Sequence, residues 1–435
     1  MRFDHSRQLQ KRSHAVIPGG AHTYAKGDDQ YPLEAPGFLV RGAGCRVWDA
    51  DGNEFIEYGM GLRSVTLGHG YAPVVEAAAR AMALGTNFTR PSPLEVELAE
   101  RLVGLIDAAD MAKFAKNGSD ATTAAVKLAR AHTGRDKLLY CRSHPFFSTD
   151  DWFIGTTPMG AGIPRSTTEL SIPFDYNDAA GLEALFAAHA GEIACVILEP
   201  ATFEEPREGF LHAVRSLCDR HGSVMILDET ITGFRWHLRG AQALYRVAPD
   251  LSVFGKAMGN GFAIAALVGR RELMRLGGLD HDRDRVFLLS TTHGAETHAL
   301  AATLEVIDAY EAHDVVETLA RQGERLRRGV ACAAREAGVE DCFATFGRPC
   351  NLIYVTRDRD GRASQALRAL FLQELIRRGV IAPSFVISAA HGDEEVDRTV
   401  EAVAGALAVY RRALGDGVEK YLEGRPVKPV WRARN

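Results

Sequence analysis

The sequence predicts an α/β protein: a large domain with a mainly parallel sheet wrapped by helices, and a smaller α/β domain built from the two chain ends. Short apolar, β-rich runs recur along the chain, each followed by a polar turn and an Ala/Leu-rich stretch of helical character. These runs are continuous rather than alternating, as strands covered on both faces should be. The chain has 435 residues, of which 46% are hydrophobic and 25% charged, enough apolar material for a sizeable core.

In chain order, the stretch from Met1 to Lys11 carries charge throughout and lacks the apolar centre of a secretory signal. Cys45 to Tyr58 reads as a hairpin, with Asp51-Gly52 at the turn and period-two alternation on either side. The runs expected in the main sheet are Met111 to Ala115, Lys137 to Cys141, Ala194 to Leu198, Val224 to Leu227, Leu251 to Phe254 and Ile264 to Val268. From about Ala301, two long amphipathic helices precede a strand at Asn351 to Thr356 and a helix from Ser364 to Arg378. This gives residues 1–60 and 306–435 to the small domain and 61–305 to the large one.

Composition excludes several classes of function. With 51 basic and 56 acidic side chains the formal charge is −5, so no nucleic acid or anionic membrane surface is expected as a partner. No apolar run reaches the roughly 18 residues of a spanning helix. Seven cysteines are scattered without metal-ligand spacing, so neither a metal site nor a disulfide framework is expected, and the compartment should be cytoplasmic. Glycine is in excess: 42 residues, where average usage would give about 30. Such an excess asks where the backbone turns tightly or approaches a ligand.

Three segments carry chemistry. Lys116-Asn117-Gly118-Ser119-Asp120 lies between a strand and a helix, where free N–H groups, a hydroxyl and the helix dipole suit a phosphate. Ser119 or Asp120 could equally be a plain helix cap. Asp228 ends a buried-looking strand, where α/β sheets bind ligands, or serves there as a cap or ion-pair partner. Lys256 directly follows a hydrophobic strand among Gly255, Gly259 and Gly261, so its amine should face a crevice and act as a nucleophile toward a carbonyl. A phosphate cradle, an acid for a pyridine nitrogen and a Schiff-base lysine together are what pyridoxal 5'-phosphate requires.

On these and further motifs the sequence resembles the class III pyridoxal-phosphate aminotransferases of fold type I, in the branch of glutamate-1-semialdehyde aminomutase. The motifs are Pro18-Gly-Gly, Trp48-Asp-Ala-Asp-Gly, Leu67-Gly-His, Asn117-Gly-Ser-Asp-Ala-Thr, Leu198-Glu-Pro, Asp228-Glu, Thr232-Gly-Phe-Arg and Phe254-Gly-Lys. The resemblance implies that Lys256 forms the aldimine and moves the proton, Asp228 pairs with the pyridinium, and Asn117, Gly118 and Ser119 form the phosphate site. It implies a homodimer in which Thr292 of one chain, or Thr291, closes the phosphate site of the other.

Three departures from the family pattern decide how far the resemblance reaches, and the third bears on substrate. In place of the usual Tyr-His-Gly stands Ser143-His-Pro-Phe-Phe, so Phe146 is the expected ring stacker, with Phe147 and His144 as rivals. Thr230 stands where a valine commonly faces the other side of the ring. Lys26 aligns with the aminomutase's carboxylate-binding arginine, and a lysine lacks the bidentate fork. Arg63 is either a relocated anion contact or a solvated surface residue. The resulting expectation is an aminotransferase moving an amino group from a small-molecule donor to a carbonyl acceptor such as a sugar or specialised metabolite. The alternatives are an intramolecular aminomutase and a non-catalytic protein that keeps the fold.

Overall fold

The computed structural model describes residues 1–434. It forms two compact units: Met1–Tyr71 together with the residues from Glu317 onward, and Ala72–Val316. Residues 61–71 therefore belong with the first unit, because His69 and Gly44 exchange backbone hydrogen bonds of 2.9 and 2.7 Å. Residues 306–316 stay with the second, because Thr297–Ala312 is one continuous helix.

The first unit opens with a meander of β1 (Leu39–Ala43), β2 (Arg46–Asp49) and β3 (Glu54–Glu57), all antiparallel. The β2–β3 hairpin sets Val47 opposite Phe55 and turns through Gly52 at φ +86°. Asp49 Oδ1 accepts the N–H groups of Asp51 and Asn53 at 3.0 and 2.7 Å, so the turn is held from its own first residue.

The second unit is built on seven strands: β4 (Met111–Ala115), β5 (Lys137–Cys141), β6 (Ser171–Phe174), β7 (Ile193–Leu198), β8 (Val224–Asp228), β9 (Leu251–Phe254) and β10 (Ala265–Gly269). Their order is β4-β10-β9-β8-β7-β5-β6. All but β10 run the same way; β10 is antiparallel to both neighbours. The connection from β9 to β10 is too short for the helical crossover a parallel pair needs. Every residue of β7, β8, β9 and β10 is buried, in keeping with their unbroken apolar sequence. The expected strands are all present. The additional one, β6, contains Pro173 and lies at the sheet edge, where a missing N–H is tolerated and the sequence signal is weakest.

The C-terminal part of the first unit adds β11 (Phe343–Phe346), β12 (Asn351–Thr356), β13 (Val380–Ile381) and β14 (Phe385–Val386), with β13 extending the β1–β3 meander in parallel to β3. Helix Gln365–Ile376 is capped by Ser364, whose hydroxyl accepts from Leu367 N. Among the described residues no helix is long and apolar enough to cross a membrane, and no cluster could hold a metal ion.

Helix Val315–Glu336 tests how closely these elements pack. A Cβ added at Gly323 would lie 2.0 Å from the carbonyl oxygen of Pro349. Helix propensity alone favours Gly323→Ala by about 1 kcal/mol, but the backbone clash outweighs it. The expected outcome is a loss of about 2 kcal/mol or more in urea unfolding; a gain in stability would show that the contact is not tight.

Candidate active site

The same-facing strands bring the chemistry-bearing residues to one edge of the sheet. Asn117–Ser119 follow β4, Ser143–His144 follow β5, Glu199 follows β7, Asp228 ends β8 and Lys256 lies two residues past β9. The carboxyl edge of such a sheet is where ligands bind, because loops diverge there and helix N-termini point toward it.

Helix Gly118–Thr133 starts with Asn117, whose Oδ1 accepts from Asp120 N at 3.1 Å. The cap is thus Asn117, not Ser119 or Asp120. Gly118 and Ser119 present N–H groups with no intrahelical acceptor, and Ser119 Oγ makes no hydrogen bond among the described residues. These are the donors an anion would meet.

Asp228 is 5% exposed. Burial raises its carboxyl above the ordinary range, while Thr230 and the charge of Lys256 oppose that rise. Both Thr230 donors, the N–H at 2.9 Å and the hydroxyl, serve Oδ1; Oδ2 accepts no hydrogen bond among the described residues. The neighbouring Glu229 does different work. Fully buried, it accepts from Ala241 N and Gln242 N at 2.8 Å each and from the Thr232 hydroxyl. Its lone pairs are spent on holding the following loop, whereas one oxygen of Asp228 stays open.

Thr230 is the point on which three strands converge. A Cβ on Gly118 or on Gly255 would lie 3.2 Å from its side chain, so the phosphate-type loop, the acid and the lysine segment close around it. Lys256 is half-buried with φ +47°, a left-handed conformation unusual for a side-chain-bearing residue.

Of the three rings proposed for stacking, two are built into the packing. Phe147 is 1% exposed, edge-on to Phe153, with its carbonyl accepting from the Thr122 hydroxyl. His144 is 3% exposed. Phe146 is also edge-on to Phe153 but is 41% exposed, and so is the ring with surface to offer. The sequence assigned no role to Glu199, although its motif was legible. Glu199 N donates to His144 Nδ1 at 2.9 Å, which leaves the proton on Nε2, a buried donor without a partner among the described residues. Trp152 Nε1 and Ser148 Oγ bond Thr123 Oγ1 at 2.9 and 2.8 Å, fastening this loop to helix Gly118–Thr133.

Thr291 and Thr292 are both exposed; the Thr291 hydroxyl donates to His293 O at 2.9 Å, and the carbonyl of Thr292 accepts from Asn87. Lys26 and Arg63 belong to the first unit. Lys26 is exposed at the rim of a cavity of about 470 Å3, walled by Ile17, Leu39, Val47, Ile381 and Pro383. Arg63 is half-buried in a strained turn. Met60, Gly61, Leu62 and Arg63 all have positive φ, from +42° to +71°, a single left-handed turn. Arg63 anchors it, with Nε donating to Asn351 Oδ1 at 2.9 Å and Nη2 to Ser384 Oγ at 3.2 Å.

Residues 25–342 match the model of the family described as aminotransferase class-III. The chain belongs to that family. It is 34% identical to the glutamate-1-semialdehyde 2,1-aminomutase of Pelotomaculum thermopropionicum, over 93% of this chain and 98% of that one. Among solved structures, the FumI protein of Sphingopyxis sp. MTA144, in its pyridoxal-phosphate internal aldimine form, superposes with a TM-score of 0.87 at 30% identity, covering 94% of this chain and 97% of that one. An omega-transaminase from Sphaerobacter thermophilus gives 0.84 at 26%, covering 93% and 98%.

The class-III family uses pyridoxal phosphate, and the residues here fit it. An open carboxylate oxygen on a buried acid suits a protonated ring nitrogen. Free N–H groups and a hydroxyl at a helix start suit a phosphate, and a half-buried lysine beside the acid suits the aldehyde carbon.

Two predictions follow from the geometry. Burial depresses the pKa of His144 to about 3, so the neutral ring is favoured in the fold. As pH falls through about 6.5 the unfolded chain takes a proton that the folded chain refuses, and stability is lost from there down to about pH 3. At pH 5 the contribution is about 2 kcal/mol. Denaturant titrations at pH 7.5 and 5 should therefore show a smaller acid loss for His144→Asn, whose amide oxygen can replace Nδ1 as acceptor. Arg63→Ala should cost about 2 kcal/mol of stability with little change in ligand affinity; a large rise in KM at unchanged stability would restore the substrate-contact role.

Proposed function

We propose that this class-III chain is an aminotransferase moving an amino group from a small-molecule donor to a separate carbonyl acceptor. The observation that carries the reading is the convergence of Gly118, Asp228 and the Lys256 segment on Thr230. When bound, pyridoxal phosphate supplies the electron sink that lets a substrate Cα lose its proton. Lys256 Nζ is the base for that proton, and the acid that returns one, because its half-buried amine lies beside Asp228. Asp228 would keep a proton on the ring nitrogen, and Thr230 fixes its carboxylate by serving Oδ1 from two donors. Gly118 and Ser119 would hold the phosphate at the helix start, and Phe146 and Thr230 are the side chains that would flank the ring.

For an acceptor unlike glutamate-1-semialdehyde the support lies in the first unit. Lys26 offers a point charge rather than a fork, and the Arg63 guanidinium is committed to Asn351 and Ser384. The second reading, an intramolecular aminomutase, is favoured by the name of the Pelotomaculum relative. We further propose a homodimer in which Thr292 completes the partner chain's phosphate site, working in a reducing, cytoplasmic setting that suits seven cysteines outside any disulfide.

Lys256→Ala should lose the visible absorbance of the lysine-bound cofactor and about a thousandfold or more in turnover. Retained colour in that variant would reject the lysine. Turnover of the wild type should need both an amino donor and an acceptor; complete turnover of a single amino aldehyde with no second compound would establish the aminomutase instead.

A further inference from the structure

Residues 289–296 carry both exposed threonines and form no helix or strand, yet they are fixed along their length within the second unit. Asn87 Nδ2 holds Thr292 O at 3.0 Å. Just past the segment, Thr297 donates its N–H to Thr86 O at 3.1 Å and its hydroxyl to Gly85 O at 2.7 Å. Between these anchors the chain passes against the end of β4, since a Cβ on Gly294 would lie 3.7 Å from Phe114 O and 3.9 Å from Ala115 Cα. It thus packs on the residues directly ahead of the anion donors Gly118 and Ser119.

Glu296 is the charge that joins the two segments. It immediately precedes helix Thr297–Ala312, but its carboxylate does not cap that helix. It turns instead to Lys116, whose ammonium donates to Oε2, and to His293, whose Nδ1 lies 3.3 Å from Oε1. The Glu296 side chain is 13% exposed and that of Lys116 37%, so the ion pair is partly shielded from water. His298 also faces the ammonium; burial and then the charge of Lys116 lower its pKa, so it stays neutral and leaves Glu296 as the anion that answers Lys116. Lys116 adjoins Asn117, the cap of helix Gly118–Thr133. Thr292, on the Glu296 side, has a hydroxyl that makes no hydrogen bond among the described residues.

We infer that the Lys116–Glu296 ion pair is a strut between two phosphate sites. It sets the loop of the chain's own site, at Gly118 and Ser119, in register with the segment that offers Thr292 to the partner chain. Lys116 and Glu296 are positioning residues: their charges are spent on each other, and each acts through the segment it anchors. The inference rests on the proposed homodimer and on the cofactor reading of the site. Because one contact fixes both segments, loss of either charge loosens both sites at once.

The test titrates the full-length chain, stripped of cofactor, with pyridoxal phosphate and with pyridoxal, which lacks the phosphate, following the visible absorbance of the lysine-bound form. Lys116→Met and Glu296→Gln should each weaken pyridoxal phosphate about two- to fivefold, the scale of a partly exposed ion pair, and leave pyridoxal unchanged. The double variant should be no weaker than either single one, and Lys116→Arg should keep the wild-type affinity. Mixed dimers separate the two arms. With one chain carrying Lys256→Ala, the single remaining lysine-bound site should be weakened whether Glu296→Gln sits in the chain that keeps Lys256 or in the other. Equal losses for both cofactor forms, additive losses in the double variant, tighter binding by Glu296→Gln, or a loss confined to one placement would each overturn the strut. Light scattering of the wild type reports separately on the homodimer, and its visible absorbance with pyridoxal phosphate on the cofactor reading.

Discussion

Burying a carboxylate at the end of an apolar strand is costly unless a positive charge answers it, and the second unit is arranged around that constraint. Asp228 closes β8, all of whose residues are buried, and burial pushes its pKa upward. The protein answers in part: two donors from Thr230 on one oxygen and the positive charge of Lys256 nearby. The other oxygen is left for a cation that the fold itself does not supply. A protonated heterocyclic nitrogen is a cation that would meet that need.

The same constraint explains why two adjacent acids behave differently. Glu229 is just as buried, but its oxygens accept two backbone N–H groups, a hydroxyl and the Gln242 amide, which makes it a structural anchor for the next loop. His144 adds the complementary case of a buried donor: its Nδ1 is used by Glu199 N, and its Nε2 proton is unspent. Open polar atoms on a fully packed edge mark the places where a ligand belongs.

In the first unit, polar groups serve geometry. The left-handed turn Met60–Arg63 costs about 1–2 kcal/mol for each side-chain-bearing residue in that conformation, and the two Arg63 hydrogen bonds hold it against that cost. Arg425 and Arg432 fasten the turn beside Lys26 in the same manner. Arg63, which the sequence offers as an anion contact, gives two of its donors to Asn351 and Ser384, hundreds of residues away.

The sequence by itself determined the α/β class, the β-runs of the main sheet, and the order of phosphate loop, acid and lysine, because these are local patterns of apolar continuity and turn chemistry. It also determined family membership, since the motifs are short and ungapped. It missed β6, whose proline hides an edge strand, and placed the domain boundaries about ten residues away from where hydrogen bonding sets them. Tertiary structure alone decided the rest. Thr230 as the point of convergence, Phe147 as core and Phe146 as the exposed ring, Asn117 as the cap, and Arg63 as tether all depend on partners distant in the chain. Such pairings leave no periodic trace in sequence, because a side chain's role is set by which acceptor or void the folded backbone brings within about 3 Å of it.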